Sequence, residues 1–129
     1  MANSAGYHEP ESKLRLETLD NHRALTSMQE ELEATDWYDQ RVDAATDQGL
    51  KEILAHNRDE EKEHFAMLLE WYRRRDAKMD ANLKKYLFTS GSLVAQEEAG
   101  AGGADGGADA GAGGAGSLGI GSLKGGQAL

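Results

Sequence analysis

Between Pro10 and Ser90 the chain contains one glycine, Gly49, and no proline. So long a stretch of helix-forming residues leaves few folds open. It predicts one helix from Glu11 to about Ala45, with Pro10 suited to its first turn. A helix of about 35 residues is roughly 50 Å long. Asp47-Gln48-Gly49 is a turn signal, and a second helix follows from about Leu50 to Lys78. The short connection makes the two helices antiparallel neighbours. Asn82 to Phe88 predicts a short third helix, and Ser90-Gly91 closes the folded part. Residues 1–9 are expected to be disordered.

Each long helix carries a seam at steps of three and four. The first reads Ala24, Met28, Glu31, Thr35, Tyr38, Val42; the second reads Leu50, Leu54, Asn57, Glu61, His64, Leu68, Trp71. Leu25, Leu32, Trp37, Ile53, Phe65, Leu69 and Tyr72 widen the apolar surface beyond those seams. A hairpin of two helices cannot cover that much apolar surface alone, so it must bury it against another copy or another protein. The expected fold is all-α: an antiparallel two-helix hairpin with a short third helix, over residues 10–90, dimerising into a four-helix bundle.

The hairpin would be a small folded unit, at the size where oligomerisation often supplies the missing core. Fourteen of the 16 glycines fall after residue 90. With no cysteine there is neither a disulfide nor a thiolate metal site. The net charge is −9, with 19 acids against 13 bases in residues 1–90. That balance argues against nucleic acid as a partner. No apolar run approaches the ~20 residues of a membrane span, and residues 1–10 lack a signal-peptide core, so a cytoplasmic location is expected.

Within the second seam, Glu61 and His64 lie three residues apart and therefore share one helix face. A carboxylate and an imidazole on an apolar seam are costly unless something compensates them, and a metal ion would. Glu-x-x-His projecting into a bundle is the ligand unit of di-iron carboxylate proteins, which need two such units and two further glutamates. This chain has one unit. Glu31 is the candidate for the additional glutamate, because it lies on the first seam about 17 residues before position 48, while Glu61 lies about 13 after it. One chain would supply half a site and a two-fold dimer the rest. Glu61 would bridge two metals, with Glu31 and His64 as terminal ligands. Two carboxylates and one imidazole per metal suit iron, manganese or zinc. Iron is favoured because open positions at such a pair admit dioxygen. The alternative for Glu61 and His64 is a buried ion pair.

Several neighbours carry two readings. Tyr38 is either a hydrogen-bond donor to Glu31 or a core aromatic with a wet hydroxyl. Glu30 and Glu33, with Trp37 one turn on, would line a mouth that draws cations inward, or form an ordinary solvated face. His56, Glu60 and Glu63 have the spacing of a weak surface metal site, which is more often merely polar.

Residues 91–116 read as a Gly/Ala-rich flexible linker. Beyond it Leu118, Ile120 and Leu123 return large aliphatic side chains to the chain. The 118/120 spacing suits an extended peptide that places alternate side chains in pockets.

Taken together, MQEELEATDWYDQRVDA (28–44), ILAHNRDEEKEH (53–64), YLFTSG (86–91) and the tail SLGIGSLKGG (117–126) resemble the encapsulated ferritins. The resemblance implies a ferroxidase whose centre, holding two Fe per subunit pair, forms between two half-bundles. Glu31, Glu61 and His64 match that family's iron ligands. Trp37 and Tyr38 match residues beside the centre, and Glu30 and Glu33 match an acidic site of metal access. The resemblance further implies an open ring of ten subunits, and a targeting peptide at 117–126 that directs the protein into an encapsulin nanocompartment. Iron oxidised by the ring would be mineralised inside that shell. Gln127-Ala128-Leu129 have no assigned role. Two competing functions remain on the residues alone. One is a metal-assembled helical cargo adaptor without turnover. The other is a peroxidase or oxygenase on the same metal pair, which the Glu-rich site and the lack of substrate-pocket residues argue against.

Overall fold

The computed structural model describes residues 6–102. Regular structure among them is helical: a 3-10 turn at Glu11–Lys13, then α1 (Leu16–Ala44), α2 (Gln48–Arg73), α3 (Ala77–Tyr86) and α4 (Leu93–Gly102). The chain divides into two compact units, one ending at Arg75 and one beginning at Asp76. None of the described helices is long and apolar enough to cross a membrane.

In the first unit the expected start at Glu11 is only a tight turn, closed by Lys13 N–H to Pro10 O at 2.9 Å. Leu14 and Arg15 are then extended, so α1 begins at Leu16. The turn between the long helices also differs from expectation. It consists of residues 45–47, and Gly49 sits inside the first turn of α2. No left-handed residue is needed there, because Ala45 and Asp47 are both extended. The Asp47 carboxylate accepts the Leu50 N–H at 2.9 Å and caps the helix, satisfying one of its orphan donors.

Helices α1 and α2 pack along the seams that the spacing implies. Ala24 and Met28 are buried, and Glu31, Thr35, Tyr38 and Val42 are half-buried on the same stripe. On α2, Leu54, Asn57, Glu61, His64, Leu68 and Trp71 are half-buried, whereas Leu50 at the turn is exposed. Arg58 on α2 reaches across to Asp39 on α1 at 3.0 Å and also holds its neighbour Asp59 at 3.0 Å. That guanidinium keeps the Asp59 carboxyl below its usual pKa. Near the end of α2, Arg73 and Arg74 both bind Glu70 and pull its pKa down to about 2.

The hairpin leaves much of its apolar surface open. Leu32 is 52% exposed, Trp37 50%, Ile53 59% and Met67 58%, while Phe65, Leu69 and Tyr72 are half-buried. Among the described residues no large side chain is fully buried.

Helix α2 stops at Arg73 rather than Lys78. Asp76 is extended, and its carboxylate accepts the Met79 N–H at 2.7 Å, starting α3 at Ala77 instead of Asn82. In the second unit, α3 ends at Tyr86, and Phe88, expected in that helix, is left-handed at φ 61°. Gly91, at φ 92°, completes the reversal. A further helix, α4, then occupies the start of the segment expected as a linker. Ser92 Oγ caps it by accepting the Ala95 N–H at 3.1 Å, and Gln96 Nε2 donates back to Ser90 O at 2.7 Å. Gly100 of α4 passes against the Lys85 side chain so closely that a Cβ would collide with it. The candidate targeting peptide with Leu118, Ile120 and Leu123 lies outside the described residues, as do most of the Gly/Ala-rich stretch and residues 1–5.

Candidate metal centre

Three potential ligands meet between α1 and α2. Glu31 comes from the middle of α1, and Glu61 and His64 come from successive turns of α2. One ligand atom from each lies within 4.8 Å of the other two, and all three side chains are half-buried. His64 turns Nδ1 toward both carboxylates, at 3.6 Å from Glu31 Oε1 and 3.5 Å from Glu61 Oε1. The backbone places them without special devices: Glu61 and His64 share a face through the i, i+3 relation, and antiparallel packing brings Glu31 to the same depth.

The two carboxylates of the trio oppose each other electrostatically. Glu31 has its pKa raised above 4.5, first by hydrogen bonding with the Glu61 carboxyl, then by burial and by the Glu61 charge. His64 opposes the shift. Two carboxylates in contact disfavour each other's ionisation, and a divalent ion between them would relieve that repulsion. The donor set, two carboxylate oxygens and one imidazole nitrogen with no sulfur, fits iron, manganese or zinc. Three ligands leave further coordination positions open. An open groove of about 640 Å³ runs beside Glu31 and His64, lined also by Asp20, Ala24, Met67 and Trp71.

The other candidate residues are arranged differently. Trp37 is exposed, and Tyr38 is half-buried with the Arg41 guanidinium 5.2 Å from its ring centroid. Glu30 and Glu33 are exposed and stand outside the three-residue cluster. His56 Nε2 lies 3.6 Å from Glu60 Oε2, but Glu63 forms no cluster with them among the described residues. Glu60 has a second contact that the sequence reading missed: its Oε1 is 3.8 Å from His64 Nε2. The spacing carries the signal, since residues 60 and 64 are four apart and so lie on neighbouring turns of one helix face.

Comparison with known proteins places this arrangement in context. The EncFtn-like family model matches residues 6–90. An encapsulated ferritin-like protein of Rhodospirillum rubrum is 60% identical over 126 residues, which cover 95% of this chain and 90% of that protein. A ferritin-like protein of Thermotoga maritima is 50% identical over 99 residues, covering 77% of this chain and 87% of its own length. A crystal structure of a Nitrosomonas europaea protein superposes with a TM-score of 0.67 at 61% identity, over 68% of this chain and 97% of that one.

Proposed function

This chain belongs to the EncFtn-like family, and from that premise we propose that it is a ferroxidase, oxidising Fe(II) with dioxygen at a centre built from Glu31, Glu61 and His64. The observation that carries the reading is the convergence of those three ligand atoms within 4.8 Å, from two helices. Iron is the substrate of the reaction. Glu61 would bridge two ferrous ions, with Glu31 and His64 as terminal ligands. The carboxylates supply hard oxygen donors that tolerate both oxidation states, and the imidazole fixes the ion's position. Each Fe(II) gives up one electron, and dioxygen takes the two electrons of the pair.

One chain supplies three ligands, too few for two ions. A second copy related by a two-fold axis would double the set, giving two Fe per subunit pair. The exposed Leu32, Trp37, Ile53 and Met67 support this, because a hairpin with that surface open gains by association. A larger ring of such dimers is compatible with the same surface.

Ferric product would be stored by an encapsulin shell rather than by this protein. Two observations support that partner. The Rhodospirillum rubrum relative is named as encapsulated, and its similarity extends over 95% of this chain, so it includes the C-terminal segment. We assign Leu118, Ile120 and Leu123 as the side chains that dock on the shell.

The test is the aerobic rate of ferric absorbance for the wild type and Glu61→Ala side by side. Turnover well above the protein-free rate, lost in the variant, is the expected result. No acceleration by the wild type would remove the enzyme reading and leave a metal-assembled cargo adaptor.

A further inference from the structure

His64 faces carboxylates on both sides of its ring. Nδ1 faces Glu31 and Glu61, at 3.6 and 3.5 Å, and Nε2 faces Glu60 Oε1 at 3.8 Å. We propose that Glu60 is a positioning residue for the metal centre: it accepts the Nε2–H of His64, which holds the imidazole in the tautomer that offers Nδ1 as ligand. The proposal rests on the metal centre described above, but not on the redox activity assigned to it.

The chemistry behind it is general. A neutral imidazole carries one proton, so one nitrogen can bind a metal only if the other holds that proton. Ligating histidines almost always donate this second N–H to a carboxylate or carbonyl, which fixes the ring and raises its basicity. In this chain the acceptor on the Nε2 side is Glu60. It reaches the ring because residues 60 and 64 are neighbours on one α2 stripe. The 3.8 Å separation exceeds a hydrogen bond and must close by roughly 1 Å. Polar contacts of this kind commonly tighten when the site is filled. Glu60 is not one of the three clustered ligands, and its other oxygen faces His56 at 3.6 Å.

Half-exposed on the helix surface, Glu60 can be replaced without disturbing the core. The experiment uses the full chain with cobalt(II) as a redox-silent probe, read by its visible absorption. Nitrogen-15 spectra of the His64 ring in the zinc(II)-loaded protein, where Nδ1 is occupied and the ring proton sits on Nε2, report whether that N–H is hydrogen-bonded. Glu60→Ala is expected to weaken cobalt binding by about 10–100-fold and to move the Nε2 resonance of the zinc-loaded protein toward that of an N–H open to water. Glu60→Gln keeps an oxygen that accepts the same N–H, so it is expected to stay close to the wild type in both readouts. His56→Ala is expected to change neither. Equal Nε2 resonances in the zinc-loaded wild type and Glu60→Ala would overturn the proposal, whatever the cobalt affinity. A Glu60→Gln variant as weak as Glu60→Ala would overturn it too, since charge and not orientation would then be the cause. Unchanged cobalt affinity in Glu60→Ala, with binding still lost in Glu31→Ala, would remove Glu60 and leave the metal centre standing.

Discussion

Glu31 on α1 and Glu61 on α2 bring their carboxyl groups into contact across the hairpin, and the contact raises the pKa of Glu31. A pair of acids is placed there at the expense of stability, on a stripe where apolar side chains would pack. The same contact is what a divalent cation needs. The proposed site and this instability are therefore one feature, and they separate experimentally through pH and through substitution.

The sign of the pH effect follows from the raised pKa. Folded protein holds on Glu31 a proton that the unfolded chain releases near 4.5. The stability from this group is complete below that value and is lost as pH rises through the raised one. Asp59 and Glu70, both lowered, act in the opposite sense: their contributions are lost as pH falls. Comparison with Glu31→Gln isolates the Glu31 term. In the presence of a chelator, the melting temperature of the wild type relative to this variant is expected to fall over a pH range that begins near 4.5 and runs upward. A flat difference would dismiss the shared proton. Added divalent metal should stabilise the wild type more at the upper end of the range, where no proton competes for the carboxylates.

Glu61→Gln should uncouple stability from binding. It removes the like-charge contact and leaves an amide that can donate to Glu31. The metal-free variant is expected to melt at or above the wild-type temperature, with a gain on the order of 1 kcal/mol, the scale of one charge contact near a surface. Its affinity for cobalt(II) should collapse, because the proposed bridging carboxylate is gone. Calorimetric melting and a metal titration on the same sample check both halves. A variant that binds as tightly as the wild type would exclude Glu61 as a ligand.

The hairpin and its central trio were legible because helical spacing repeats on both strands of it. Ala24, Met28 and Glu31 fall on one stripe, Glu61 and His64 on the other, and antiparallel packing aligns them. Helix ends were less legible. Gly49 drew the turn toward itself, whereas Asp47 set the boundary by capping the Leu50 N–H. The stop at Arg73 has no glycine or proline to announce it, and Asp76 as a cap was the available signal. Helix α4 was hidden by composition: Leu93 to Ala99 are good helix formers behind a Ser92 cap, but they adjoin a glycine-rich tract whose average outweighed them. The Glu60–His64 contact was legible in principle, since i, i+4 neighbours share a helix face, but the Glu61–His64 pair at i, i+3 carried the reading.

Buried and exposed methionines of the hairpin give a direct measure of its small core. Met28 is 7% exposed between α1 and α2, and Met67 is 58% exposed. Met28→Ala leaves a cavity and is expected to cost about 2–5 kcal/mol, a large share of the stability of so small a unit. In an isolated hairpin Met67→Ala should cost little. Urea unfolding of both variants decides the matter, and equal losses would show that Met67 is buried in the assembled protein.

Association is the strongest demand that this surface makes. Ile53 is 59% exposed on α2 and Leu32 52% exposed on α1. A charge placed at either position should not disturb a lone hairpin, because neither side chain packs within it. Burying that charge against a second copy would be costly without a partner for it. Ile53→Glu is therefore expected to leave the helical circular dichroism intact while lowering the mass measured by light scattering toward that of one chain. Cobalt binding should weaken in parallel, since the proposed centre draws half its ligands from the second copy. Retained mass with a normal metal site would move the interface away from Ile53. Lost mass with full cobalt affinity would mean that one chain alone completes the site, and that the two-fold sharing of Glu61 is wrong.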